Sequence, residues 1–363
     1  MNLEDFLSEW YGDSPYVHVQ TSGSTGAPKP MLAEKRRMLA SARITCDFLG
    51  LKAGDTALLC MSLDYIAGKM MVVRSLERGL RLIAVEPSGH PLSLSQRYQS
   101  PLLQEVSQRY QSPLLQEVSQ RYQSPLLQEG VGEVILAAMP LGEVTFAAMV
   151  PMQVWNTLQV PEERERLKQI RHLIIGGGAI DEALADDLKA FPHAVWSTYG
   201  MTETLSHIAL RRLNGPDASD WYTPFPSVKV SLTGDNCLVI DAHEVCPHTL
   251  TTNDIAELDG QRFRILGRKD NVICSGGIKI QAEEVERQLR PHLQVSYLLS
   301  KRADPKFGEV AVLLTEGSVD EARAVCERVL PKYYQPRAYI HVDHIPLTET
   351  GKPARKQAEV LLK

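Results

Sequence analysis

Cysteine is scarce: six in 363 residues, at 46, 60, 237, 246, 274 and 326, with no CxxC pair and no dense framework. That excludes a disulfide scaffold and leaves buried, reduced thiols in a cytoplasmic protein as the expectation. The loose group His243, Cys246 and His248 lacks the second ligand cluster that a structural zinc site needs. Basic excess is missing too. Lys+Arg total 39 against 44 Asp+Glu, a net charge of −5, which argues against a general nucleic-acid partner. The first residues, MNLEDFLSEW, carry acids where a signal peptide needs a basic and then an apolar run. The most apolar window, 134–152, is broken by Pro140, Gly142, Glu143 and Pro151, so no membrane span is expected. What is present is a chain 44% hydrophobic and 23% charged, with apolar mass for about two domains.

One repeat stands out: SQRYQSPLLQEV at 95–106 and 107–118, then SQRYQSPLLQEG at 119–130. Within each copy Ser-Pro reads as a helix N-cap followed by a first-turn proline, and the next Ser-Pro cuts the helix short. A smaller echo, GEVILAAM and GEVTFAAM, covers 132–139 and 142–149. Near-identical neighbours at a period of 12 fit no common solenoid and read as a duplication, an inserted arm or a sequence error. Elsewhere strand-like TALLCM (56–61), RLIAV (81–85) and HLII (172–175) alternate with helical patterns. One is a stripe of Met38, Ala42, Thr45 and Phe48–Leu49 stopping at Gly50; another spans 181–190. This alternation implies an α/β domain. From about Phe263 the units become smaller and mixed, an α+β block of roughly a hundred residues. The expected division is 1–267 and 268–363.

Three groups of residues carry chemistry. In Thr21-Ser22-Gly23-Ser24-Thr25-Gly26-Ala27-Pro28-Lys29, glycines let N–H groups converge, hydroxyls add donors and a lysine adds charge, as a polyphosphate requires. The spacing is not that of a P-loop NTPase, and a polar surface turn is the alternative. Ser197–Thr204 (STYGMTET) puts a hydroxyl, Thr202, beside a carboxylate, Glu203, after a strand; the pair suits a phosphate and its Mg²⁺, or else a helix cap. Gly176-Gly177-Gly178-Ala179 ends a strand with nothing to obstruct a flat ring, as an ordinary turn also would. Asp254, Arg268 and Asp270 are candidates for ribose and phosphate oxygens, or solvated loop charges.

In this order the motifs resemble the acyl-adenylate-forming (AMP-binding) superfamily of acyl- and aryl-CoA synthetases, peptide-synthetase adenylation domains and luciferases. The resemblance covers 21–94 and 149–355. Within the superfamily the likeness is greatest to the o-succinylbenzoate–CoA ligases of menaquinone biosynthesis, on AAMVPMQVW (147–155), STYGMTETLSHIAL (197–210) and SGGIKIQAEEVE (275–286). It implies a large α/β domain and a small, mobile α+β domain turning about Asp270. It also implies an AMP-forming acid–thiol ligase using ATP, Mg²⁺ and coenzyme A on a small carboxylic acid, with the oligomeric state open between monomer and homodimer.

The resemblance assigns Thr21–Gly26 and Lys29 to the phosphates and Gly177, Gly178 and Ala179 to the adenine side. Tyr199, Gly200, Met201 and Thr202 would meet the adenylate, and Glu203 the Mg²⁺. Asp254 and Arg268 would hold the ribose, although the usual Thr-Gly-Asp is here Thr252-Asn253-Asp254. Lys352 would drive adenylation, and the 275–279 segment with Gly276 and Gly277 would serve the thioester step. Tyr65, standing where relatives carry a histidine, would line the acyl pocket with Ser206 and His207, and Lys69 would pair with a second substrate carboxylate; Lys69 also reads as an exposed helix lysine. The phosphate loop begins at residue 21, which implies a compact or truncated version of the fold. Two rival readings are an adenylating enzyme for another acid or a carrier protein, and a degenerate nucleotide-binding paralogue with the repeats as a docking arm.

Overall fold

The computed structural model describes residues 1–20, 30–93, 98–99, 144–178, 180, 182–348 and 353–362. Contacts divide the chain into two units, 1–229 with 241–249 and 230–240 with 250–363.

The first unit opens with α1 (Leu3–Tyr11), capped by the Asn2 side chain on Asp5 N and burying Phe6, Leu7, Trp10 and Tyr11. Strands β1 (Tyr16–Gln20) and β2 (Pro30–Glu34) pair antiparallel with Gln20 opposite Pro30. The 21–29 segment that connects them lies outside the described residues. Helix α2 (Lys35–Leu49) buries Met38, Ala42, Thr45, Cys46 and Leu49, and ends at Gly50 with φ 66°.

The main sheet has eight strands. They are β3 (Thr56–Leu59), β4 (Arg81–Val85), β5 (Tyr98–Gln99), β6 (Phe146–Met149), β7 (His172–Ile175), β8 (Ala194–Gly200), β9 (His207–Arg212) and β10 (Thr223–Pro224). Their spatial order is β10-β9-β8-β7-β6-β3-β4-β5. The five central strands, β8-β7-β6-β3-β4, are parallel. All four residues of β3 and of β6 are buried, so these strands read as continuous apolar runs rather than alternating ones. Helix α3 (Ile66–Arg78) joins β3 to β4, α4 (Pro151–Gln159) and α5 (Pro161–Gln169) join β6 to β7, and α6 (Glu182–Lys189) joins β7 to β8. The core beside them gathers Leu58, Met149, Val154, Ile175, Leu188 and Val195. From β3 the chain steps one way to β4 and later returns on the other side as β6. That reversal opens a crevice at the carboxyl ends of the strands, where ligands of such sheets bind. Of the tandem repeats, Tyr98–Gln99 alone are described; the rest, and the first copy of the GEV echo, lie outside the described residues.

The second unit carries two sheets. One orders β11 (Lys229–Leu232), β12 (Cys237–Asp241), β13 (Leu250–Asp259) and β14 (Arg262–Arg268) side by side. The other orders β16 (Ile278–Gln281), β15 (Val272–Ser275), β18 (Gly308–Thr315) and β17 (Tyr297–Asp304), with β19 (Ala338–His341) parallel to β18. Alternation along β18 feeds two cores. Ala311 and Leu313 pack with α7 (Ala282–Leu289) and α8 (Val319–Val329), whereas Val310, Val312 and Leu314 pack with α9 (Arg355–Val360). Arg355 fixes α9 through 2.7 and 3.0 Å bonds to Glu286. The six cysteines are free, five of them buried. Among the described residues no helix is long and apolar enough to cross a membrane.

Candidate active site

Strand β8 runs into a 3-10 turn, Thr202–Thr204, at the carboxyl edge of the sheet. Met201 N donates to Thr204 Oγ1 at 3.1 Å, and Leu205 closes the turn at φ 63°. A leucine held in the left-handed region costs on the order of 1–3 kcal/mol, tolerated where the surroundings fix the backbone. Thr202 is buried and the adjacent Glu203 is exposed, so hydroxyl and carboxylate sit side by side in different surroundings. Gly200 is required by contact: a Cβ there would lie 2.3 Å from Ser206 O and 2.5 Å from His207 Cα, both backbone atoms. The Tyr199 ring stands 5.8 Å from that of Tyr222, and Met201 is half-buried. At the end of β7, Gly176 N donates to Met149 O at 3.0 Å, while Gly177 is exposed and Gly178 half-buried. Ala179 lies outside the described residues.

On α3 the sequence expectation singled out Tyr65 and Lys69. Tyr65 is the half-buried residue preceding the helix. Lys69 is 3% exposed, and its Nζ donates to His18 O on β1 at 2.5 Å, above the Phe6 ring at 5.9 Å. Its amine thus already has an acceptor, and burial lowers its pKa.

Arg74, further along α3, is a buried cation with no anionic partner among the described residues. It is 2% exposed, donates through Nη2 to Ser206 Oγ at 2.6 Å and through Nη1 to Met71 Sδ at 3.8 Å, and its Nε has no acceptor. Among the described residues no carboxylate pairs with it, and burial pulls its pKa down to about 10. Sequence reasoning missed Arg74. The available signal was a lone arginine ending the apolar run Met70–Val73.

In the second unit Asp254 and Arg268 face each other across β13 and β14, with Arg268 Nη1 3.1 Å from Asp254 Oδ1. Arg268 Nη2 also donates to Asp270 Oδ2 at 2.8 Å, and Asn253 Nδ2 lies 3.2 Å from both Asp270 oxygens. The Arg268 hydrogen bond lowers the Asp270 pKa. Asn253, the departure from the family's glycine, therefore braces the residue expected at the hinge. Gly276 and Gly277, at φ 58° and 86°, form the two-residue tip between β15 and β16, a turn that needs positive φ at both positions. Lys352 lies outside the described residues.

Among the described residues no group of three or more His, Cys, Asp or Glu could hold a metal ion. His243 instead pairs with Asp241 at 2.9 Å, and Cys246 donates to His248 O.

A model of the AMP-binding enzyme family matches residues 7–251. The 2-succinylbenzoate–CoA ligase of Bacillus velezensis is 25% identical, covering 97% of this chain and 70% of that protein. Its Salmonella typhimurium namesake is also 25% identical, over 87% of this chain and 62% of its own length. Among solved structures, an acyl-CoA synthetase (AMP-forming)/AMP-acid ligase II-like protein from Dyadobacter fermentans is 28% identical. It superposes with a TM-score of 0.58 and covers 99% of this chain and 92% of its own. The o-succinylbenzoate CoA synthetase of Bacillus subtilis, in complex with ATP and magnesium ion, has a TM-score of 0.66 over 94% of this chain and 69% of its own. At 22% identity that likeness is one of fold.

Proposed function

Because the chain belongs to the AMP-binding enzyme family, we propose that it is an ATP-dependent acid–CoA ligase whose acid is 2-succinylbenzoate. In the first step a carboxylate oxygen attacks the α-phosphorus of ATP and pyrophosphate leaves. In the second, the thiol of coenzyme A attacks the acyl carbonyl, AMP leaves and the thiol proton passes to solvent. Neither step needs a covalent protein nucleophile, so the protein's part is to gather anions and oppose developing charge. On this reading the Thr202 hydroxyl and the 21–29 segment hold phosphates, Lys352 meets the α-phosphate and carboxylate oxygens, and Asp254 and Arg268 hold the ribose. Gly177, Gly178 and Ala179 border the adenine, Tyr65 lines the acyl pocket, and Gly276 and Gly277 serve coenzyme A. Glu203, exposed beside Thr202, suits Mg²⁺, which takes one or two carboxylates plus phosphate oxygens and would neutralise phosphate charge there. The proposed boundary falls at 267/268, with Asp270 as the hinge.

Arg74 is the observation that carries the acid. A buried charge stripped of its partner costs about 3–5 kcal/mol, and Ser206 and Met71 offset that only in part. An acid with a second carboxylate would complete the pairing beside Ser206, three residues after Glu203. This favours Arg74 over Lys69 as the anchor. Wild-type protein should release pyrophosphate with 2-succinylbenzoate and form a thioester once coenzyme A is added. Arg74→Met should raise the KM for the acid about thirtyfold or more, as loss of one member of a buried charge pair does. Lys69→Met should leave that KM within about twofold. Equal effects of the two substitutions would sink the anchor. Pyrophosphate release without a thioester would favour the carrier-loading reading, and ATP binding without release the degenerate one.

A further inference from the structure

Ser206 Oγ is the oxygen that meets Arg74, so whatever orients that hydroxyl also sets how the guanidinium is presented. Three elements meet behind it. Thr45 Oγ1 on α2 donates to Ser41 O at 3.1 Å, which commits its single hydrogen. At its 3.1 Å contact with His207 Nε2 the Thr45 oxygen is then the acceptor, and the proton resides on Nε2. His207 is 8% exposed, and burial, reinforced by the Arg74 charge, pushes its pKa well below 6.5, so the ring is neutral. A neutral ring protonated at Nε2 has a bare Nδ1. The 3.2 Å contact with Ser206 Oγ is therefore donated by the serine, whose lone pairs turn to Arg74 Nη2 at 2.6 Å. The chain of donors has one consistent direction. The Phe225 ring packs beside the imidazole, with centroids 5.6 Å apart.

We propose that His207, fixed as the Nε2–H tautomer by Thr45, is a positioning residue for the acid. It accepts a hydrogen bond from the Ser206 hydroxyl, aims the serine oxygen at Arg74 and so fixes the guanidinium that receives the second carboxylate. This rests on the reading of Arg74 as the anchor, and the test separates the two. In wild-type protein ¹⁵N NMR at pH 7 should show His207 neutral and protonated at Nε2; an Nδ1–H tautomer overturns the relay whatever the substrate. Thr45→Val should raise the KM for 2-succinylbenzoate about tenfold, the weight of one hydrogen bond to a charged network. The KM for ATP, and that for the monoamide lacking the second carboxylate, should stay within about twofold. His207→Gln, whose amide can accept from Ser206 and donate to Thr45, should stay closer to wild type than His207→Phe. A uniform rise for both acids, or a Gln variant as impaired as Phe, overturns the proposal. Should wild-type protein not use 2-succinylbenzoate, the substrate reading falls and the tautomer alone decides the relay.

Discussion

His207 and His172 are held away from protonation by the fold, and that couples stability to pH. Burial lowers both imidazoles from the ordinary 6.5, with Arg74 adding to the effect at His207 and Arg171 at His172. A depressed folded-state value means that the unfolded chain binds more protons once the pH drops below 6.5. Stability is therefore full above that value and is lost as the pH falls from it toward the folded-state titration. His207, held well below 6.5, contributes about 1.4 kcal/mol per pH unit across that window, and the partly exposed His172 contributes less. Urea midpoints taken from pH 7.5 down to pH 5 should fall, and the His207→Gln variant should show a shallower fall. An unchanged slope in that variant would mean the ring is protonated in the folded state. Neither this coupling nor Arg74 was legible in the sequence, because a residue's burial depends on elements far along the chain. Arg74 meets Ser206 across 132 positions, and His207 meets Thr45 across 162.

At the level of elements, α4 starts on Pro151 with no side-chain cap from Val150, and Gln153 closes it instead. Its Oε1 accepts from Val150 N at 3.2 Å, while Nε2 donates to Cys60 O at 3.0 Å and Ser88 O at 2.9 Å. One buried amide thus ties the ends of β3 and β6 to the segment after β4, at the point where strand order reverses. Gln153→Leu keeps the volume and leaves three backbone groups without that partner. The expected loss is about 2–4 kcal/mol of unfolding free energy, since an unsatisfied buried group costs about 1–3. A urea midpoint within error of wild type would show that water or a shifted backbone replaces the clamp. Elements set by local pattern were readable: α2 from its stripe and the Gly50 stop, and β3, β4 and β7 from short apolar runs. The pair β1–β2 was not, although Val17 and Val19 alternate inward, because five residues carry too little periodicity to separate a strand from a loop.

Over the whole molecule, the family was legible because its chemistry is written in contiguous motifs whose order survives without knowledge of the fold. The grouping of the chain was less so. Residues 230–240 fall with the second unit and 241–249 with the first, a double crossing set by the pairing of β12 with β13 rather than by any shift in composition. Candidate residues divide accordingly: Thr202, Glu203 and Arg74 belong to the first unit, Asp254 and Arg268 to the second. If Lys352 opposes charge at the α-phosphorus, adenylation depends on it, whereas attack of a thiol on a finished acyl-adenylate no longer needs charge opposed at a phosphorus undergoing substitution. Removing one well-placed donor from such a centre costs about 2.7–4 kcal/mol, or a factor of about 10²–10³. Lys352→Ala should accordingly lose pyrophosphate release by that factor while still converting a supplied acyl-adenylate to its thioester at near wild-type rate. Rapid-quench measurement of the two half-reactions reads both. Full pyrophosphate release by the variant would remove Lys352 from the adenylation centre, and equal loss of both half-reactions would assign it to binding the adenylate they share.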